Sequence, residues 1–199
     1  MPTVTFLDVV KLGFTLFVTV NFVQYARSGQ ARRHMTVFVR RPLSEWFKAV
    51  ALVIVEVAIL VTAICLLMGL SPILRFSWLS LLAKGEEGTN LMVAPAQIPW
   101  FGLIFIGLLA LNLPRLARRE EEVFRRGTMN WKDATYRSLK FGLIHMVVGV
   151  PLGAALALWF SGMFFSWRYF VGGVRESTYY HTLHNGVILA FLASTLVSV

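Results

Sequence analysis

Cysteine and charged residues are scarce in this sequence, and each shortage excludes a class of protein. The single cysteine, Cys65, lies in an apolar run, so neither an intramolecular disulfide nor a cysteine-based metal site can form. Charged residues make up only 15% of the 199 residues, which excludes a disordered chain. Apolar residues reach 57%, more than a water-soluble domain of this length could bury. The composition therefore predicts an integral membrane protein with a single transmembrane domain over residues 1–199.

Long apolar runs mark the predicted membrane-spanning helices, each of which needs about 20 mostly apolar residues. The stretch from Trp131 to Gly172 is too long for one crossing, and Pro151 interrupts it because proline breaks the backbone hydrogen bonding of a helix. Lipid offers backbone polar groups no partner, so every span must be helical. The sequence thus predicts an all-α, polytopic helical bundle of about six segments. They are Phe6 to Tyr25, Phe47 to Leu70, Pro99 to Leu116, Trp131 to Val150, Leu152 to Val171 and Tyr179 to Val197.

Basic residues set the expected orientation of these segments. The net charge is +9, from 19 basic and 10 acidic residues, and most of the basic ones lie in residues 26–48 and 115–140. With six crossings, both regions and the turn carrying Arg168 and Arg175 fall on one side, which the positive-inside rule assigns to the cytoplasm. No aromatic residues are interleaved with basic ones on a water-exposed face, so no nucleic-acid partner is expected. The expected location is a prokaryotic plasma membrane, with the lipid bilayer as a partner.

Three short patterns in the second half of the chain place polar or aromatic side chains one helical turn apart. A carboxylate, two imidazoles and an amide are sufficient to activate water against a carbonyl group. The glutamate takes the proton, and histidine and asparagine donate hydrogen bonds to the oxyanion. Two imidazoles and a carboxylate could equally hold a divalent metal ion such as zinc, which polarises water. The patterns are Glu121-Glu122-x-x-x-Arg126, Phe141-x-x-x-His145 and His181-x-x-x-Asn185.

In this order, the three patterns resemble the CAAX protease and bacteriocin-processing family of intramembrane endopeptidases, also called the Abi family. The resemblance covers Glu121 to Asn185, within a family-like catalytic core over residues 115–199. It implies an endopeptidase that hydrolyses a peptide bond near the cytoplasmic edge of the bilayer by glutamate- and histidine-activated water, with a peptide or a membrane protein as substrate. It also implies site residues and roles: Glu121 activates water, Glu122 and Arg126 brace the motif, His145, His181 and Asn185 stabilise the oxyanion, and Glu121, His145 and His181 ligate the ion if a metal is used.

Alternatives remain beside this interpretation. A second register, Glu120-Glu121 with Arg125, fits the first pattern equally well, although Gly127 after Arg126 favours the register above. The chain could also be a catalytically inactive relative that serves as a membrane partner or assembly factor, with the charged residues 115–140 as its docking face.

One further carboxylate, Glu56, lies in the middle of the second predicted span, where an ionisable group indicates a functional site by default. Its expected partners are Lys11 or Asn21 of the first span, and a small transporter or channel would be the corresponding function. The simpler expectation is a neutral carboxyl group bonded to a backbone carbonyl.

Overall fold

The structure, a computed structural model, describes residues 6–29, 33, 40–78 and 99–197. Every regular element in these ranges is helical, which confirms the predicted all-α class. The elements are α1 (Phe6–Arg27), α2 (Leu43–Leu70), a 3-10 turn (Pro72–Arg75), α3 (Pro99–Phe124), α4 (Trp131–Ile144), a second 3-10 turn (His145–Val148) and α5 (Leu152–Val197). Each of the six predicted apolar segments coincides with a helical stretch, although α3 runs eight residues beyond the predicted end at Leu116.

The predicted reversal at Pro151 is confirmed. Gly149 has a φ of 87°, in the left-handed region that favours glycine, and it ends the 3-10 turn that follows α4. Helix α5 then runs back along α4. The two helices approach so closely that a Cβ atom on Gly142 would lie 2.1 Å from the carbonyl oxygen of Ala155. A residue without a side chain is therefore required at this crossing.

A second reversal divides α5 into two helices. Gly172 and Gly173 have non-helical backbone angles, and the φ of 68° at Gly173 again favours glycine. We call residues 152–171 α5a and residues 174–197 α5b. The two halves pack side by side. The Phe165 ring of α5a stacks on the His181 ring of α5b at a centroid distance of 4.3 Å. The last helix thus begins five residues before the predicted Tyr179, and α5a and α5b form a hairpin.

Two apolar clusters join the remaining helices to this hairpin. One cluster connects α1, α3 and the end of α5b, and the amide of Asn112 in α3 donates to the carbonyl oxygen of Val18 in α1. The second joins α2 to α5b through Ala49, Val53 and Tyr179. Helix α2 is consequently fixed against α5b by close apolar packing.

Among the described helices, one, α2, is both long enough and apolar enough to cross a membrane. Eight large apolar side chains of α2 are more than half exposed: Leu43, Phe47, Ile54, Val55, Ile59, Val61, Leu66 and Leu70. A continuous exposed apolar surface of this kind suits contact with lipid. The finding supports membrane association of the chain.

Candidate active site

A buried carboxylate and imidazole form the centre of the candidate site. Glu121 lies near the end of α3 and His181 in the first half of α5b, and both side chains are almost fully buried. His181 Nδ1 is 2.8 Å from Glu121 Oε1. An ionised carboxylate only accepts hydrogen bonds, so Nδ1 carries the proton and donates it to this bond. The contact joins α3 to α5b through two residues that are 60 positions apart in the chain.

Arg125 adds a buried cation to this pair. Its Nε atom is 3.7 Å from Glu121 Oε2, one helical turn along α3, and its guanidinium lies 4.7 Å from the centroid of the Phe141 ring. Burial raises the pKa of Glu121, but the hydrogen bond with His181 and the positive charge of Arg125 outweigh it, so the pKa lies below its ordinary value. Glu121 is therefore a charged side chain whose Oε1 is hydrogen-bonded to His181 and whose Oε2 forms an ion pair with Arg125.

Glu120 offers a second carboxylate beside the His181 ring. Its Oε2 atom is 3.7 Å from His181 Nε2, on the side of the ring opposite Glu121. Within the described part of the chain, this oxygen has no hydrogen-bond partner. The Glu120 side chain is 35% exposed, whereas that of Glu121 is fully buried. Glu120 is thus the more exposed of the two carboxylate side chains, although its Oε2 atom is itself buried beside His181.

His145 approaches the same cluster from the end of α4. Its Nδ1 is 2.7 Å from the carbonyl oxygen of Phe141, and since a carbonyl only accepts, Nδ1 carries a proton. In the neutral ring Nε2 is then an acceptor. The Phe141 ring lies between the two imidazoles, 4.8 Å from the His145 centroid and 5.5 Å from the His181 centroid. His145 also interacts electrostatically with Glu120 and with His181.

The structure places the two possible registers of the first pattern on different faces of the chain. Glu122 and Arg126 form the predicted pair at 3.0 Å, but on the surface, where their side chains are 37% and 63% exposed. Glu122 also accepts a hydrogen bond from Arg118. Successive helical residues point about 100° apart, so a change of one position moves the motif from the outer face to the inner face. The register that enters the site is Glu120-Glu121 with Arg125.

The remaining predicted site residue, Asn185, has no hydrogen bond to the cluster. It is half-buried on α5b, and its amide forms no hydrogen bond with any other residue that the structure describes. Of the predicted residues, Glu121, His145 and His181 are therefore brought together, Glu122 and Arg126 lie on the surface, and Asn185 forms no hydrogen bond with any of them.

Glu56 forms a second acid–imidazole pair, with partners that differ from both expectations. Its Oε2 is 2.5 Å from His184 Nδ1, and its Oε1 accepts a hydrogen bond of 2.5 Å from Ser161 Oγ. The predicted partner Asn21 instead donates to the carbonyl oxygen of Phe17. The side chain of Lys11 lies outside the described residues. Partners from α5a and α5b replace the expected ones because both halves of the hairpin face α2.

Two of the three predicted metal ligands are hydrogen-bonded to each other. Glu121 Oε1 accepts the Nδ1 hydrogen bond of His181, so this carboxylate and this imidazole face one another rather than a common point. Nor do the histidine, aspartate, glutamate and cysteine side chains in the described ranges form a group of three that could hold an ion.

Comparisons of the chain with models of protein families, with curated proteins and with solved structures find no match.

Proposed function

We propose that this protein is an intramembrane endopeptidase in which Glu120 activates a water molecule for attack on a peptide bond. The observation that carries the proposal is the convergence of Glu120, Glu121, His145 and His181 from three separate elements around the Phe141 ring. A carboxylate whose Oε2 has no hydrogen-bond partner among the described residues, beside two imidazoles whose Nδ1 atoms are already bonded, suits a general base that activates water. This assignment moves the base from Glu121 to its neighbour.

The reaction follows from the hydrogen bonds of each group. Glu120 takes a proton from water while the water oxygen bonds to the peptide carbonyl carbon, and His145 Nε2 accepts a hydrogen bond that orients the water. His181 Nε2 faces the Glu120 carboxylate, and when it carries a proton it can donate a hydrogen bond to the oxyanion. Glu120 then returns its proton to the amide nitrogen as the carbon–nitrogen bond breaks. The products are a carboxylic acid and an amine, and the acid then gives its proton to the amine or to solvent.

Glu121 and Arg125 hold this machinery in place rather than react. Glu121 fixes the orientation and tautomer of His181, and the buried guanidinium keeps Glu121 ionised. Neither side chain is exposed, so neither reaches a substrate directly.

The helical segments are proposed to form six membrane crossings, with the basic loops in the cytoplasm of a prokaryotic cell. Glu120 and Glu121 follow the apolar stretch 99–116 by a few residues, which supports a site at the cytoplasmic edge of the bilayer. A membrane-anchored peptide or a membrane protein is the substrate class that such a position admits.

The test is hydrolysis by purified protein in liposomes that contain membrane-anchored peptides, with mass spectrometry to identify a new amine and a new carboxyl terminus. We expect the wild type and Glu122→Gln to cleave at the same bond and Glu120→Gln not to cleave. Glu122 is the matched control, because it lies on the same helix but on the exposed face.

The alternative is a relative that has lost catalysis and serves as a membrane partner. The observation in its favour is the exposed ion-pair network of Glu122 with Arg118 and Arg126, a charged face available to another protein. Binding that depends on this face, without cleavage by the wild type, would favour the alternative.

A further inference from the structure

The proposed mechanism leaves one buried ionisable cluster unused. Glu56 in α2, Ser161 in α5a and His184 in α5b meet between the three helices, and Glu56 bridges the other two with one oxygen each. His184 is 2% exposed and Glu56 is 7% exposed. A carboxylate and an imidazole are costly to bury in such a place, so their presence calls for a reason other than packing.

Apolar packing already holds α2 against α5b without this cluster. Val53, one turn before Glu56 on the same helix, is fully buried, and it packs with Ala49, Tyr179 and Tyr180. An apolar residue at position 56 would continue this interface at lower cost, because replacing buried ion pairs with well-packed apolar groups is often neutral or stabilising.

The cluster adjoins the candidate site through α5b. His184 follows His181 by three residues, and the two ring centroids are 6.4 Å apart. The Phe165 ring contacts both, stacked on His181 at 4.3 Å and edge-on to His184 at 5.3 Å. His184 also interacts electrostatically with His145. Three imidazoles therefore lie around one wall of the site, and each has Nδ1 bonded to an acceptor.

We propose that Glu56, supported by Ser161, is a positioning residue of this site. It accepts the Nδ1–H hydrogen bond of His184. This bond fixes the orientation of the His184 ring beside His181 and leaves Nε2 as the ring atom that is available to the site. The inference rests on the proposed function, and it adds α2 to the elements that build the active site. A carboxylate that fixes an imidazole through Nδ1 while Nε2 acts is a recurring arrangement in hydrolases.

The first experiment measures the proton on His184 and needs no activity. Histidine-¹⁵N-labelled protein in lipid bilayers is compared for the wild type, Glu56→Leu, Glu56→Gln and Val53→Ala, with His184→Gln to assign the signal. We expect protonated Nδ1 in the wild type, in Glu56→Gln, which retains an acceptor oxygen, and in Val53→Ala. Glu56→Leu should show a mixture of tautomers. An unchanged His184 spectrum in Glu56→Leu, or an equal change in Val53→Ala, overturns the proposal.

The second experiment measures cleavage by the same proteins. We expect Glu56→Leu to lower kcat about tenfold or more with little change in KM, as is typical when the partner of a functional imidazole is removed. Glu56→Gln should recover most of the loss, and Val53→Ala should retain the wild-type kcat. If Glu56→Leu does not fold, Glu56→Asp replaces it, since its shorter side chain cannot bridge both partners.

The outcomes separate the two proposals. If the wild type cleaves and Glu56→Leu retains full kcat, the positioning role is wrong while the proposed function stands. If Glu120→Gln cleaves as well as the wild type, the proposed function is wrong, and with it the role of Glu56 in catalysis. The ¹⁵N spectra then decide only whether Glu56 holds the His184 ring.

Discussion

The buried charges around Glu121 allow a stability prediction with a definite magnitude. Glu121 is the only carboxylate within 4 Å of the Arg125 guanidinium among the described residues, and both side chains are fully buried. In Glu121→Gln, the amide oxygen can still accept the His181 hydrogen bond, but Arg125 loses its counter-charge. Leaving one partner of a buried ion pair uncompensated costs about 3–5 kcal/mol. We expect a loss of unfolding free energy in this range.

The matched control is Glu122→Gln, one residue along the same helix. Its pairs with Arg118 and Arg126 are exposed to solvent by about a third or more, and exposed pairs contribute about 0–1 kcal/mol. The assay is chemical unfolding in detergent micelles, followed by tryptophan fluorescence and circular dichroism. Glu121→Gln should therefore unfold at much lower denaturant than Glu122→Gln.

A double variant tests the stated reason for the loss. Glu121→Gln/Arg125→Met removes both buried charges and keeps an apolar side chain against Phe141. We expect it to be more stable than Glu121→Gln alone, since the uncompensated cation is gone. Equal stability of Glu121→Gln and Glu122→Gln, or a double variant weaker than the single one, would refute the reasoning.

Three further predictions concern acid stability, helix contact and metal dependence. The pKa of Glu121 is lowered in the folded protein, so its charge stabilises the fold at pH values above the unfolded pKa of about 4.3. This stabilisation is lost as the pH falls below that value. The unfolding free energy of the wild type should therefore drop more on acidification than that of Glu121→Gln. Acid titration of both proteins, monitored by fluorescence, checks the difference. Gly142→Ala should lower the unfolding free energy by about 1–3 kcal/mol, because the added methyl group overpacks against Ala155. Gly107→Ala should cause no such loss, since there is open space around Gly107. Thermal unfolding of the two variants checks the difference. Incubation with a chelator should leave cleavage unchanged, because Glu121, His145 and His181 do not form one ligand set; loss of activity that zinc restores would contradict this.

A second ion-pair cluster joins the chain just before α2 to the final hairpin. Glu176, just after the Gly173 reversal, accepts hydrogen bonds from Arg41 and Arg168, and these bonds and charges lower its pKa despite partial burial. Glu176→Gln should increase proteolysis near residue 41, measured by limited digestion, because the chain before α2 loses this anchor. Unchanged cleavage there would show that Trp46 and the apolar cluster suffice.

The helical architecture could be predicted because it follows from local chemistry. Apolar runs of sufficient length, with Pro151 dividing the longest, locate each helical stretch, and Gly149 allows the chain to reverse. The reversal within α5 was expected from the apolar segments, but its position depends on the backbone of Gly172 and Gly173. The last helix therefore begins before the predicted residue, Tyr179.

The site was only partly predictable, for a geometric reason. Spacing indicates that Glu121, His145 and His181 share a chemistry, but a run of three glutamates followed by two arginines satisfies the motif in two registers. Only the orientation of α3 against Phe141 shows that Arg125, not Arg126, faces inward. The Glu56–His184 contact joins residues 128 positions apart, and no local pattern identifies such a pair.

The central claim is that Glu120 is the base and Glu122 is not, and the relative kcat of their glutamine variants tests it most directly. Both substitutions remove one negative charge from the same turn of α3 and retain a similar shape. We predict that Glu120→Gln lowers kcat by about 10² to 10⁴, the usual contribution of a general base, while Glu122→Gln stays within about twofold of the wild type. Equal turnover by the two variants, or a larger loss in Glu122→Gln, would contradict the account.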